Sequence, residues 1–156
     1  MSDDMIHHGD SHQEYVTVMI GPQLFGLPIS RVQDVFMPDT ITRVPLASQE
    51  IAGVLNLRGR IVTAVDMRRR LSLPQVEGKA HRHAVGVEQA GEAYGLIIDS
   101  VGEVLNLAVD RLEPNPVNLD RRWASVSAGV YRLDGQLLVI LDIDRVLAFG
   151  EEAAAA

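Results

Sequence analysis

The sequence predicts an all-β fold built from two related units in tandem, each closed by a short helix. Three observations predict it. Short β-branched or apolar runs bounded by Gly, Pro or charge recur along the chain. Two long blocks of sequence repeat each other. Each repeat ends in an Asp followed by one or two turns of helical pattern, "DMRRRL" and "DIDRVL", which reads as an N-cap and its helix.

The strand signals are, in order, "EYVTVMI", "LFGLPI", "IAGVLNL", "RIVTAVDM", "HAVGVEQ", "AYGLIID" and "GQLLVILDI". Many short strands with frequent turns point to small barrels or a sandwich. "FGLPISRVQDV" (25–35) lies over "YGLIIDSVGEV" (94–104) at an offset of 69. "AGVLNLRGRIVTAVDMRRRL" (52–71) lies over "AGVYRLDGQLLVILDIDRVL" (128–147) at an offset of 76. The seven-residue difference falls in the Pro-containing stretch "EPNPVNLDRRWAS", a loop where an insertion costs little. The boundary between units falls near "SLPQVEGKAHR" (72–82), so the expected organisation is a disordered tail over 1–13, a first subdomain over about 14–78, a second over about 79–149, and a short tail over 150–156.

The repeat exposes an anomaly. Arg58-Gly59 sits between two apolar runs, where a two-residue hairpin turn is expected. Such turns favour Asn-Gly or Asp-Gly, because both central residues take φ > 0. The matching turn of the second unit has Asp134-Gly135. Two readings stay open: Arg58 is kept for recognition at the expense of the turn, or the turn is of a type that needs φ > 0 only at Gly59.

Bulk composition narrows the function. The chain has 156 residues, 47% of them hydrophobic, enough for a core without staples. It has no cysteine, which excludes disulfides and thiolate chemistry. No secretory h-region or membrane-length apolar run is visible, so a cytoplasmic location is expected. The net charge of −7 disfavours general polyanion binding. Locally, residues 58–82 are basic (Arg58, Arg60, Arg68, Arg69, Arg70, Lys79 and Arg82 against Asp66 and Glu77). That segment has no Phe, Tyr or Trp for base stacking, so nucleic acid is not expected as a partner.

Chemistry-bearing motifs are absent. There is no HExxH, GxSxG or GxxxxGK[ST] pattern. His7, His8 and His12 lie in the polar tail, and His81 and His83 in the inter-unit linker. Asp66 and Asp142 read as helix caps rather than a catalytic pair. No enzyme activity, metal or cofactor is expected, and the remaining class is a binding module whose grooves accept a partner helix or peptide.

The segments "FGLPISRVQDVFMPDTITRVP", "IAGVLNLRGRIVTAVDMRRRLSLP" and "YGLIIDSVGEVLNL" resemble the CheW-type coupling proteins of bacterial chemotaxis. The similarity runs from about Tyr15 to Phe149. It is carried most specifically by a GVxNLRGxIxxxxDxR pattern, here Gly53 to Ile61 with Asp66 and Arg68. The resemblance implies two SH3-like five-stranded β-barrel subdomains with a short helix after each second hairpin. It implies a non-enzymatic adaptor that links chemoreceptors to the histidine kinase CheA. The partners would be the CheA regulatory domain, the receptor's cytoplasmic helical tip, and further copies of the adaptor in rings beneath the membrane-associated array. No membrane insertion is implied.

Carried over by position, the receptor-facing residues would be Val32, Asp34, Gly53, Asn56, Leu57 and Arg58. The kinase-facing ones would be Val35, Phe36, Met37, Val101 and Val104. The chain departs from the family at Thr63, often Pro, and at Asp34, often Glu, which shortens the reach of any pair that Asp34 makes. A coupling protein of twitching motility or another chemosensory pathway is the nearest alternative, and a nucleic-acid-binding double barrel a remote one.

Overall fold

The computed structural model describes residues 11–38, 40–75 and 82–148. Ten strands and three short helices follow in order: β1 (His12–Ile20), β2 (Gln23–Pro28), β3 (Val32–Phe36), β4 (Ile51–Leu57), β5 (Arg60–Asp66), α1 (Met67–Arg70), β6 (His83–Gln89), β7 (Glu92–Ile98), β8 (Ser100–Ala108), α2 (Arg121–Ala124), β9 (Ser127–Leu133), β10 (Gln136–Leu141) and α3 (Ile143–Val146). The expected capped helices are present. Asp66 Oδ1 accepts from Arg69 N and Asp142 Oδ1 from Arg145 N, each at 3.2 Å. α2 lies inside the predicted insertion.

The strands form two five-stranded sheets, as expected of an SH3-like pair, but the sheets do not follow the repeats. Sheet A has the order β8-β1-β2-β10-β9 and sheet B the order β3-β6-β7-β5-β4. The hairpin β1–β2 of the first repeat completes the sheet made by β8, β9 and β10 of the second, and β6–β7 returns the exchange. The expected division into consecutive subdomains, 14–78 and 79–149, is therefore not how the barrels are built. The two orders match position for position, so the duplication is real while its units are interlocked. The alternating pattern of a strand says which face is buried and nothing about which copy supplies its neighbour.

The N-terminal boundary also moves. His12 and Gln13 belong to β1, where they pair with Ala108 and Leu107. Backbone pairing needs no apolar side chain, so polar residues extend the strand. His7, His8 and His81, and the C-terminal stretch 149–156, lie outside the described residues.

The interlocking produces one core between the sheets. Val16, Val18, Ile20, Phe25 and Leu27 of sheet A meet Val65, Val85, Val87, Leu96 and Ile98 of sheet B, with Met67 and Leu71 from one helical end and Ile143, Val146 and Leu147 from the other. The opposite faces of the same strands fill the barrels. Tyr15, Tyr131, Leu138 and Ile140 lie inside sheet A, and Leu55, Val62, Ala64 and Ile97 inside sheet B. Strands buried on both faces read as unbroken apolar runs, which explains "GQLLVILDI".

Ion pairs fasten both places where the chain crosses between sheets. At the crossing from β7 to β8, Asp99 receives Arg68 Nε and Nη2 at 2.9 and 2.6 Å and the Gly21 amide at 2.9 Å. At the crossing from β2 to β3, Arg31 binds Asp144 of α3 at 3.0 Å, the same device with reversed polarity. Burial by itself pushes the Asp99 carboxyl up, but the Arg68 hydrogen bonds, the Gly21 amide and the charges of Arg68 and Arg82 outweigh it and hold the group below its ordinary 3.8. A folded-state value below the unfolded one stabilises the fold above the unfolded value, and that contribution is lost as pH falls through the folded one. Asp99→Ala is expected to cost about 2 kcal/mol in a urea titration at pH 7, because it leaves a guanidinium that is only 14% exposed with one of its three hydrogen bonds, to the Pro74 carbonyl. The gap between mutant and parent should close as the titration is repeated from pH 4 downward.

Candidate functional site

The β4–β5 hairpin resolves the turn anomaly. Both of its central residues are left-handed, Arg58 at φ +52° and Gly59 at φ +84°. At the twin turn only Gly135, at φ +79°, is positive, and Asp134 is not. The poorer turn former thus adopts the more demanding turn. Asn56 supports it, its Oδ1 accepting from the Gly59 amide at 2.9 Å. The twin of Asn56 is Arg132, which has no acceptor to offer. Neither glycine has any atom near the place its Cβ would occupy, so only backbone conformation opposes a side chain there. Gly59→Val and Gly135→Val are each expected to lose about 1–3 kcal/mol, measured by thermal melting.

Arg58 does not point freely into solvent. Its Nη1 donates to Asp34 Oδ2 at 3.2 Å. The Asp34 carboxylate lies over residue 86, its partner across the β3–β6 ladder, which is glycine. A Cβ on Gly86 would press on Asp34 Oδ1. The twin of Gly86 is Thr17, whose hydroxyl donates instead to the Glu103 carbonyl at 2.6 Å. The pair is asymmetric in exposure, 75% for the Arg58 side chain and 29% for Asp34. The aspartate is the anchor and the guanidinium the part displayed.

Below this pair lies a cleft of about 120 Å³ lined by Phe36, Leu57, Val62, Val87, Ala93 and Tyr94, with Gln33, Asp34, Arg58 and Arg60 at its rim. Asp34, Leu57 and Arg58 of the predicted receptor set meet there. Asn56 serves the turn beside it, and Val32 packs at the edge of the shared core. Gly53 is buried at a bulge of β4 and offers no surface; its φ of +149° and its closeness to the Thr42 carbonyl make it structural.

Of the residues predicted to face the kinase, Phe36 and Val101 are packing residues. Val35, Met37 and Val104 are exposed. Val35 and Val104 are twins on β3 and β8, edge strands of opposite sheets. The loops that follow these strands carry a second exposed pair, Leu46 and Val117. Both come after a proline, and both lie four residues past a bridging residue, Thr42 or Glu113. Sequence reasoning missed these tips, Gly86 and the cleft walls Val62, Ala93 and Tyr94. The signal available for the tips was the shared Pro-aliphatic pair, visible only once the loops are aligned through their bridges.

Among the described residues of the basic stretch, the arginines are engaged within the fold. Arg58, Arg60, Arg68, Arg69 and Arg82 pair with Asp34, Glu88, Asp99, Asp66 and Asp66, and Arg70 donates to the Val146 and Arg145 carbonyls of α3. Among the described residues there is no group of three or more potential metal ligands.

The CheW-like domain family model matches residues 14–151. The chemotaxis protein CheW of Klebsiella aerogenes is 27% identical over 141 residues, covering 90% of this chain and 85% of that protein. The chemotaxis protein CheW of Thermotoga maritima is 28% identical over 134 residues, covering 86% and 87%. The crystal structure of the scaffolding protein TtCheW from Thermoanaerobacter tengcongensis superposes with a TM-score of 0.76 at 28% identity, covering 86% of this chain and 87% of that one.

Proposed function

The chain belongs to the CheW-like domain family, and we propose that it is a non-enzymatic chemotaxis adaptor between receptors and the kinase CheA that holds a receptor helix against the Arg58 face of sheet B. The observation that carries this reading is the Arg58 turn. A guanidinium is held in a left-handed hairpin by Asn56 and aimed by Asp34, in one repeat only. An unfavourable backbone kept at one of two twin positions marks a functional site. A planar, multi-donor cation at the rim of an apolar cleft suits a helix that carries apolar anchors and acidic neighbours.

The kinase's regulatory domain and further copies of the adaptor dock through the twinned exposed residues, Val35 with Val104 and Leu46 with Val117. Paired apolar contacts on opposite sheets match a partner that is itself a double barrel. No helix among the described residues is long and apolar enough to cross a membrane, and binding to receptors and kinase is what brings the chain to the array. The test is reconstitution with receptors and kinase from the same organism. Kinase activity should rise only when receptor, kinase and this chain are all present. An unchanged rate on adding the chain would remove the reading.

A further inference from the structure

Building on the receptor-binding reading, we propose that the mouth of barrel B is an anchor pocket for one aliphatic side chain of the partner helix, placed so that a carboxylate one turn away pairs with Arg58. The duplication supplies the argument, because the same place in barrel A is filled. Leu24, Leu138, Ile140 and Tyr15 of barrel A stand where barrel B has Ala93, Val62, Ala64 and Ala84. In barrel A the Tyr15 and Tyr131 hydroxyls meet at 3.2 Å with their rings edge-on at 5.4 Å, which closes the interior. Barrel B has smaller residues at all four twin positions, and two of them, Val62 and Ala93, line the cleft of about 120 Å³, while the Phe36 ring covers the side of Ala84.

The size and chemistry of the cleft select its occupant. An engineered apolar cavity of about 150 Å³ admits a benzene molecule, so this slightly smaller cleft holds one side chain of Leu, Ile or Met size. The walls are apolar, and the polar groups stand at the rim. Arg58 spends one N–H on Asp34, and its side chain is 75% exposed, so the remaining donors of the fork face the approaching partner. A helix sets side chains three or four residues apart on one face at about 5–6 Å, which lets one enter the cleft while its neighbour meets the guanidinium. Barrel A has neither half of this arrangement, since its interior is filled and Asp134 replaces Arg58.

The test fills the cleft with the twin's own residue. Full-length Ala93→Leu, copying Leu24, is titrated against an intact receptor cytoplasmic fragment and, separately, against the kinase regulatory domain. The expected result is a melting temperature equal to or above the parent's, an unchanged kinase affinity, and receptor affinity weakened about tenfold or more. Val62→Leu, copying Leu138, should do the same and stands in if Ala93→Leu fails to fold. A folded variant that binds receptor as tightly as the parent overturns the anchor pocket and leaves the adaptor reading intact. A parent chain that binds no receptor overturns the adaptor reading, and the pocket with it.

Discussion

Gly53→Ala should destabilise the protein more than any surface change at the neighbouring hairpin, by about 3 kcal/mol or more. Two costs combine. A φ of +149° is open to glycine and resisted by every residue with a Cβ, a strain of about 1–3 kcal/mol. The new methyl would also occupy the space of the Thr42 carbonyl. That carbonyl accepts from Val54 N at 2.8 Å while Thr42 N donates to Val54 O at 2.8 Å, so displacing it endangers two backbone hydrogen bonds of about 1 kcal/mol each. For a chain of this size the melting temperature should fall by roughly 10 °C. Gly129→Ala is the internal control. Its φ is +142°, and its Cβ would come within 2.8 Å of the Glu113 carbonyl, so the two variants should fail alike. A melting curve like the parent's for Gly53→Ala would show that the bulge accommodates a side chain.

Arg58→Asp should separate binding from stability. The ion pair with Asp34 is largely exposed on the arginine side, and such pairs contribute about 0–1 kcal/mol. The melting curve should therefore barely move. Receptor coupling should be lost, because a carboxylate replaces the displayed cation and stands against Asp34. Asp34→Arg combined with Arg58→Asp should restore the pair with its polarity reversed and still not bind receptor. Arg58→Lys should be impaired, since an ammonium lacks the planar fork.

Arg58→Asn carries the sharpest contrast. Asparagine tolerates the left-handed conformation that costs other residues about 1–2 kcal/mol. It should keep or raise the melting temperature while receptor binding falls. Wild-type kinase activation by Arg58→Asp in a receptor-dependent assay would mean that Arg58 is only a solvated hairpin tip.

Much of the site was legible before the structure because its parts are local. Asn56, Arg58 and Gly59 lie within four residues of one another, and the conflict between Arg58 and its turn is visible by comparison with Asp134. The opposite charges of Asp34 and Arg58 were visible too, though not their contact. The Asp34 carboxylate lies over Gly86, which comes from the other repeat and enters sheet B only through the exchange of hairpins. The anchor cleft was hidden for the same reason. Its walls Phe36, Val62 and Ala93 belong to three strands that no short window brings together.

The sequence by itself determined the strand content, the repeat, the helix caps at Asp66 and Asp142, the hairpin glycines and the family. All of these rest on short-range chemistry: side-chain alternation, capping, turn conformation and matched residues at fixed offsets. Only the tertiary structure decided which hairpin completes which sheet, that a single core joins both sheets, and that Phe36, Val62 and Ala93 leave a cleft beside Arg58. Alternation with a period of two marks the buried faces of β1 and β6 in the same way and carries no label for the partner strand. β1 pairs with β2 on one side, and its pairing on the other side with β8 rather than with β3, the matching strand of its own repeat, is settled by the packing of the whole chain.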